Sequence, residues 1–105
     1  MRSYGRPQED IQAAERIAII GGGAVGIEIA TDIKSFFPTK KVTLYHSRSQ
    51  LLPIFGRRLH DYVLTALENL EIRVVLEARP EILPGQRSLR LSGAVQEFDL
   101  IVSYP

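Results

Sequence analysis

The sequence predicts an α/β fold, a Rossmann-like parallel sheet with an antiparallel β excursion before its last strand. Three observations indicate this fold. An apolar run at 17–20 leads into a glycine cluster and then a helical pattern. Two more apolar runs, at 42–45 and 72–76, each follow a helical pattern, which is the alternation that builds a parallel sheet. Alternating residues at 88–91 and 95–98 predict a hairpin ahead of the final strand.

The chain opens with a polar, irregular leader over residues 1–8, and residues 9–15 are expected to form a short helix that precedes the core rather than covering it. Residues 17–20 then form an unbroken apolar run that contains three β-branched side chains. Such a run is typical of a strand buried on both faces of a parallel sheet. The first strand is therefore predicted to be a central one.

Helical periodicity follows the glycine cluster. Val25, Ile29 and Ile33 recur at helical spacing on one face. Pro38 ends the helix, because the residue before a proline disfavours helical angles. The second strand follows at 42–45. A strand–helix–strand unit of this kind makes a right-handed crossover, so the first two strands are predicted to be parallel.

The second half of the chain continues the alternation. Residues 51–56 are an apolar loop, and 57–70 have the clearest helical pattern in the chain. His60 falls on the polar face of that helix and, with no other ligand type nearby, is expected to be a surface residue. The third strand is predicted at 72–76. Residues 77–86 contain two prolines and a glycine, so they cannot be regular throughout.

At 105 residues the chain is one domain at most, and residues 9–105 are predicted to form a single Rossmann-like domain. No helix follows the last apolar run at 100–102, and the helix at 9–15 precedes the core. A parallel sheet normally has both faces covered. We therefore expect this chain to be a segment of a larger protein.

Composition excludes several kinds of function. The net charge of +1 gives no reason to expect nucleic acid or an anionic membrane as a partner. The chain has no cysteine, which excludes disulfides, thiolate chemistry and cysteine metal sites. No apolar run approaches the length of a transmembrane helix, and the N-terminus does not resemble a secretory signal. The expected location is cytoplasmic or mitochondrial.

Gly21, Gly23 and Gly26 match the spacing G-x-G-x-x-G of dinucleotide-binding loops. Gly21 would allow the tight turn after the strand, Gly23 would let the backbone approach a pyrophosphate, and Gly26 would let the helix pack closely on the strand. The helix start would offer unpaired N–H groups to the phosphates. The alternative is a glycine-rich turn that binds nothing, but the preceding strand and following helix favour a dinucleotide loop.

The end of the second strand departs from the usual dinucleotide pattern. An acidic residue is expected about 20 residues beyond the glycines, where it would bind the adenosine ribose. The sequence there is Tyr45-His46-Ser47-Arg48, which contains no carboxylate. Arg48 stands where a cation could accept a 2′-phosphate, so NADPH is permitted. The alternative is that Arg48 is solvated and His46 packs against the sheet edge.

Glu28 lies two positions beyond Gly26, in what is expected to be the first helical turn. A carboxylate there would stabilise the helix through its dipole. The functional alternative is a contact near the nicotinamide end of the cofactor, and helix geometry leaves both open. No pairing of a nucleophile with a base is apparent, so neither a catalytic residue nor a metal site is predicted.

The run 21–30 resembles the GGGxVGxExA signature of the NAD(P)H-binding domain in FAD-dependent pyridine nucleotide–disulfide oxidoreductases. Residues 42–53 resemble the branch of that family related to apoptosis-inducing factor, and the resemblance extends over roughly residues 10–103. It implies a domain inserted within a discontinuous FAD domain, so that NAD(P)H would pass a hydride to FAD held by parts of the protein absent from this chain. The segment alone would be inactive.

The resemblance also assigns sites. It implies that the glycines bind the pyrophosphate, that Glu28 lies near the nicotinamide, and that residues 46–48 contact the adenosine end. The candidate cofactor-binding residues are Gly21, Gly22, Gly23, Ala24, Val25, Gly26, Glu28, His46, Ser47 and Arg48.

The sequence is compatible with two other functions to different degrees. A non-catalytic Rossmann-like interaction domain that has lost its chemistry is permitted by the missing acid at His46. A methyltransferase that binds S-adenosylmethionine also uses a glycine-rich turn after its first strand, but the full glycine motif with Glu28 argues against it. The sequence leaves open the electron acceptor, the preference between NADH and NADPH, and the oligomeric state.

Overall fold

The computed structural model describes residues 8–104. Of the leader predicted at residues 1–8, residues 1–7 lie outside the described residues, and Gln8 belongs instead to the first helix. In chain order the elements are α1 (Gln8–Ala13), β1 (Arg16–Ile20), α2 (Ala24–Phe36), β2 (Lys41–Tyr45), a 3-10 turn (Pro53–Phe55), α3 (Arg57–Asn69), β3 (Arg73–Val75), β4 (Glu81–Ile82), β5 (Ser88–Leu91), β6 (Ala94–Glu97) and β7 (Leu100–Ser103).

The strands form two sheets. Four of them make a parallel sheet in the order β3–β2–β1–β7, and the other three make an antiparallel sheet in the order β4–β5–β6. β1 pairs with β2 from Arg16↔Lys41 onwards and with β7 from Ile17↔Leu100 onwards, so it has a neighbour on each side. This confirms the predicted fold class and explains the unbroken apolar run of β1.

Side chains on the two faces of the parallel sheet enter different cores. Ile17 and Ile19 point into a cluster with Ile29 and Ile33 of α2 and Leu67 of α3. Ala18, between the two isoleucines, lies instead in a second cluster formed with residues of the antiparallel excursion. The alternation follows from the two-residue period of a strand, and it places β1 between two layers.

The second face of the sheet is covered without a helix. Tyr45 and Ile101 pack there with Leu89 of β5 and Phe98, and the Tyr45 and Phe98 rings meet edge to face with centroids 6.4 Å apart. The expectation that the sheet lacks a cover after its last strand was therefore wrong. The antiparallel sheet covers this face in place of a helix, because any layer with an apolar face can bury the parallel strands.

Helix α1 is also more closely attached than its position in the sequence suggests. Ile11 and Ala14 are 3% and 4% exposed and belong to the main core, whereas Ala13 is exposed. Lys40 is buried, and its Nζ donates hydrogen bonds to the carbonyl oxygens of Gln12, at 2.9 Å, and Ala14. α1 therefore packs on the core, contrary to expectation.

The excursion is held by a tight turn and an acidic anchor. Ser92 and Gly93, both with positive φ (51° and 81°), connect the paired residues Leu91 and Ala94, as in the type I′ turn of two-residue hairpins. The predicted hairpin is therefore confirmed, with its second strand starting one residue earlier than expected.

Asp99 ties the end of the excursion to the start of β1. Its Oδ2 accepts hydrogen bonds from the backbone N–H groups of Glu15 at 3.0 Å and Arg16 at 2.8 Å, and its own N–H donates to the Arg16 carbonyl at 2.8 Å. The two backbone N–H groups, that of Arg16 first, lower the pKa of the Asp99 carboxyl, because they stabilise its ionised form.

Candidate functional site at the carboxyl edge of the sheet

A cleft of about 720 Å³ opens where β1, β2 and β7 end. Ligands of open α/β sheets bind at this edge, and the volume lies in the range of small-molecule sites, roughly 300–1,000 Å³. None of the described residues that line it is an Asp or a Glu. The lining residues are Ile20, Gly21, Gly22, Gly23, Ala24, Tyr45, His46, Ser47, Arg48, Leu52, Pro53, Ile54, Phe55, Ala78, Arg79, Pro80 and Tyr104.

The glycine turn forms one end of this cleft. Gly21, Gly22 and Gly23 have φ values of 74°, 86° and 49°, a run of left-handed conformations that side chains resist. The Gly21 N–H donates to the Tyr45 carbonyl at 2.9 Å, and the Tyr104 N–H donates to the Ile20 carbonyl at 2.9 Å. These bonds fix the turn against the ends of the strands on both sides of β1.

Gly26 is required by a close approach of backbone to backbone. A Cβ on Gly26 would lie 2.3 Å from the Gly21 carbonyl oxygen, and one on Gly22 would lie 3.0 Å from the Gly26 nitrogen. A Cβ on Gly23 would meet no atom within 4 Å. Gly26 therefore allows α2 to pack on the turn, whereas the missing side chain of Gly23 leaves open space in the cleft.

The start of α2 leaves backbone donors free. Within residues 8–104, the N–H groups of Gly22, Gly23 and Ala24 donate to no backbone carbonyl, and no side chain caps the helix at Gly23. The first N–H groups of any helix lack partners within it, and they carry the positive end of its dipole. This arrangement is suited to binding an anionic group of a ligand.

The structure brings together only part of the predicted site. Residues 21–24 and 46–48 line one cleft, whereas Val25, Gly26 and Glu28 do not. Because α2 begins at Ala24, Glu28 is its fifth residue and lies beyond the first turn, contrary to expectation. Its side chain is half-buried with Oε1 shielded from solvent, so a simple interaction with the helix dipole no longer accounts for it.

His46 is fixed at the end of β2. Its Nε2 lies 2.9 Å from the Gln50 carbonyl oxygen, which can only accept, so Nε2 carries a proton. Its backbone N–H donates to the Val75 carbonyl at 2.9 Å. The imidazole is buried, whereas Ser47 and Arg48 are exposed to solvent in the cleft.

Residues 52–55 form one wall of the cleft, which was not predicted from the sequence. Ile54 and Phe55 are 87% and 62% exposed, which is unusual for side chains of this size. The signal was available: five of the six residues in the loop 51–56 are apolar or proline side chains without helical or strand periodicity. An apolar loop without that periodicity and beside a site is suited to contacting a ligand.

The expectation that His60 is a surface residue was wrong. It is 2% exposed, and its Nδ1 accepts a hydrogen bond from the Leu51 N–H at 2.8 Å. Leu51 is itself fully buried. His60 therefore holds the residue from which the apolar wall begins.

Residues 78–80, which also line the cleft, were not predicted from the sequence. The Glu77 N–H donates to the Arg48 carbonyl at 3.0 Å and the Ala78 N–H to the His46 carbonyl at 2.9 Å. These bonds extend the pairing of β2 and β3 beyond the regular strands. They carry Arg79 and Pro80 to the cleft, a consequence of pairing that the irregular sequence of 77–86 did not reveal.

Comparison with known proteins identifies the family. The sequence profile of the pyridine nucleotide-disulphide oxidoreductases matches residues 1–102, nearly the whole chain. The chain belongs to this family. The family resemblance inferred from the glycine run and the residues after it is therefore confirmed.

Individual relatives are much longer than this chain. Fe-regulated protein 8 of Mycosarcoma maydis is 43% identical over 76 residues, 71% of this chain and 19% of that protein. FAD-dependent oxidoreductase FVFD30 of Flammulina velutipes is 35% identical over 92 residues, 85% of this chain and 29% of that protein. The chain thus matches 19% of the length of the first relative and 29% of the length of the second.

A solved structure shares the fold. The water-forming NADH oxidase from Lactobacillus brevis, bound to NADH, superposes with a TM-score of 0.76 at 21% identity, covering 90% of this chain and 22% of that one. At that identity the match supports the Rossmann-like architecture alone. In residues 8–104 no helix is both long and apolar enough to span a bilayer.

Proposed function

We propose that this chain is the NAD(P)H-binding segment of an FAD-dependent oxidoreductase. The observation that carries the proposal is the glycine turn. Three backbone N–H groups without backbone acceptors stand at the start of α2, at one end of a cleft without carboxylates. A dinucleotide needs such a place for its pyrophosphate, and an acidic lining would repel it.

The residues of the cleft fit the parts of the cofactor in order. The pyrophosphate would lie over the N–H groups of 22–24, where Gly23 leaves room for it. The adenosine end would extend towards residues 46–48, and the apolar wall at 52–55 would shield it from water. Glu28 lies one helical turn beyond Ala24 and outside the lining of the cleft, and we propose, as the family resemblance implies, that it faces the nicotinamide half.

The hydride acceptor is proposed to be FAD bound elsewhere in a longer protein. NAD(P)H supplies a hydride, and this chain has no cysteine with which to form a redox disulfide. The name of the Flammulina velutipes relative describes an FAD-dependent enzyme. The chain's own residues would bind and orient the hydride donor, and the chain alone would leave NAD(P)H unoxidised.

Titration of the chain with NADH and with NADPH, followed by cofactor fluorescence, tests the binding assignment. Gly23→Val places a side chain in the open space of the turn, so it should abolish saturable binding. Gly93→Val is the matched control, because Gly93 also has positive φ and open surroundings but lies in the hairpin. Circular dichroism establishes that each variant is folded. Equal binding by all three proteins, or none by the wild type, would refute the assignment.

The flavin assignment has its own test. A purified longer protein that contains this chain should retain yellow flavin absorbance, and that absorbance should bleach when NAD(P)H is added without oxygen. A protein that binds NAD(P)H but purifies without flavin would instead favour the non-catalytic interaction domain.

A further inference from the structure

We propose that the cleft selects NADPH over NADH, by pairing the 2′-phosphate with Arg48 and with Arg79, a residue from a distant part of the chain. The inference rests on the proposed function and deepens it. It depends on three features of the adenosine end of the cleft: the position of the two arginines, their lack of partners, and the absence of a carboxylate.

Backbone hydrogen bonds join the two chain segments that carry these arginines. The Arg48 carbonyl accepts from the Glu77 N–H at 3.0 Å, and the His46 carbonyl accepts from the Ala78 N–H at 2.9 Å. Ala78 is buried, which anchors the residue before Arg79. Both arginines line the cleft, and the hydrogen bonds fix their backbones relative to each other. The pair is therefore a product of the fold and not of adjacency in sequence.

Neither guanidinium is neutralised by the described residues. Both side chains are exposed, and within residues 8–104 neither forms a hydrogen bond or ion pair through its guanidinium. Two other arginines, Arg57 and Arg90, are paired with Asp61 and Glu81. Arg48 and Arg79 are distinguished from the remaining exposed arginines because both line the cleft. Two unpaired cations at one end of a cleft attract an anion, and the planar fork of arginine matches a phosphate.

The cleft also lacks the group that would favour NADH. A carboxylate at the end of β2 binds the free 2′-hydroxyl of NADH and repels a 2′-phosphate. His46 occupies that place, and its Nε2 is already engaged with the Gln50 carbonyl. The carboxylates nearest in sequence to Arg79 are Glu77 and Glu81, each two residues away. Both are exposed, neither lines the cleft, and Glu81 pairs with Arg90. Nothing in the lining therefore opposes a dianionic group.

The test compares cofactor affinities of the chain and two variants. We expect the wild type to bind NADPH at least about tenfold more tightly than NADH, the scale of one charge-assisted hydrogen bond. Arg79→Gln should weaken NADPH about tenfold and change the affinity for NADH less than about twofold. Lys41→Gln is the matched control, since it removes one exposed positive charge at the opposite end of β2 and should leave both affinities unchanged.

Two further binding measurements test whether the selectivity depends on the 2′-phosphate. Adenosine 2′,5′-bisphosphate should compete with NADPH more strongly than 5′-AMP does, and Arg79→Gln should remove the difference. Affinity for NADPH should also fall more steeply with added salt than affinity for NADH.

The failures are distinguishable. If wild-type protein binds both cofactors equally, or if Arg79→Gln weakens both by the same factor, the selectivity is refuted and the proposed function stands. If the folded wild type binds neither cofactor, the proposed function fails and the inference fails with it.

Discussion

The close contact between Gly26 and the glycine turn predicts how much a side chain at position 26 lowers stability and cofactor affinity. In Gly26→Ala, the new methyl would lie 2.3 Å from the Gly21 carbonyl oxygen, about 0.7 Å inside the closest approach that Cβ atoms show. Both partners are backbone, so the clash is relieved only if the start of α2 moves away from the end of β1. That movement displaces the free N–H groups at 22–24.

The magnitude is a balance of two effects. Overpacking of this kind costs about 1–3 kcal/mol, whereas alanine stabilises a helix interior over glycine by about 1 kcal/mol. We expect Gly26→Ala to lower the free energy of unfolding by up to about 2 kcal/mol, which corresponds to a fall in Tm of up to roughly 15 °C in a domain of this size. Loss of the donor geometry should weaken NAD(P)H binding at least about tenfold.

Thermal unfolding followed by circular dichroism, together with a cofactor titration well below Tm, measures both effects. Gly93→Ala is the control, because it adds a methyl at positive φ in the hairpin, where no atom lies within 4 Å. It should lose stability through backbone strain and keep its affinity. A Gly26→Ala protein as stable as the wild type, with unchanged affinity, would refute the reasoning.

Three further predictions concern other parts of the chain. Asp99→Asn should remove stability at neutral pH and flatten the acid side of the stability curve: because folding lowers this pKa, the stabilisation is complete above the ordinary value of 3.8 and is lost as pH falls through the lower folded value. The measurement is chemical denaturation of both proteins from about pH 2 to about pH 7, the range in which carboxyl groups titrate. If the wild type and Asp99→Asn have the same stability throughout, this prediction is contradicted. His60→Ala should cost about 2–4 kcal/mol in chemical denaturation, because it opens a cavity and leaves the buried Leu51 N–H without its acceptor; a loss below about 0.5 kcal/mol would exclude that role. Ile54→Ser and Phe55→Ser should leave stability within about 0.5 kcal/mol, since both side chains are exposed. They should weaken cofactor binding, and unchanged affinity would remove the apolar wall from the site.

The regular elements could be predicted from the sequence because each depends on a local pattern. The unbroken run 17–20 indicated a strand buried on both faces, and β1 lies between β2 and β7. The spacing of Val25, Ile29 and Ile33 indicated α2, and Pro38 set its limit. Ser92 and Gly93 mark the hairpin turn. In each case the residues that indicate the element lie within the element or within a few residues of it.

The parts of the site that were missed depend on contacts between distant residues. His60 looks like a surface residue from helical periodicity, but its imidazole accepts from Leu51, nine positions earlier, in a loop without a periodic pattern. Arg79 reaches the cleft only because the residues before it extend the pairing of β2 with β3. Glu28 was placed in the first helical turn because it lies two positions beyond Gly26, but α2 begins at Ala24, so Glu28 is its fifth residue. Burial and pairing of this kind are properties of the folded chain.

The central claim is that the cleft at the carboxyl edge of the sheet binds NAD(P)H through the glycine turn. An amide-resolved NMR titration of the chain with NADPH tests it most directly. The account predicts saturable shifts of the amide signals of 21–24, 46–48 and Arg79, with the hairpin residues Ser92 and Gly93 unaffected. Absence of saturable shifts, or shifts confined to residues outside the cleft, would contradict it.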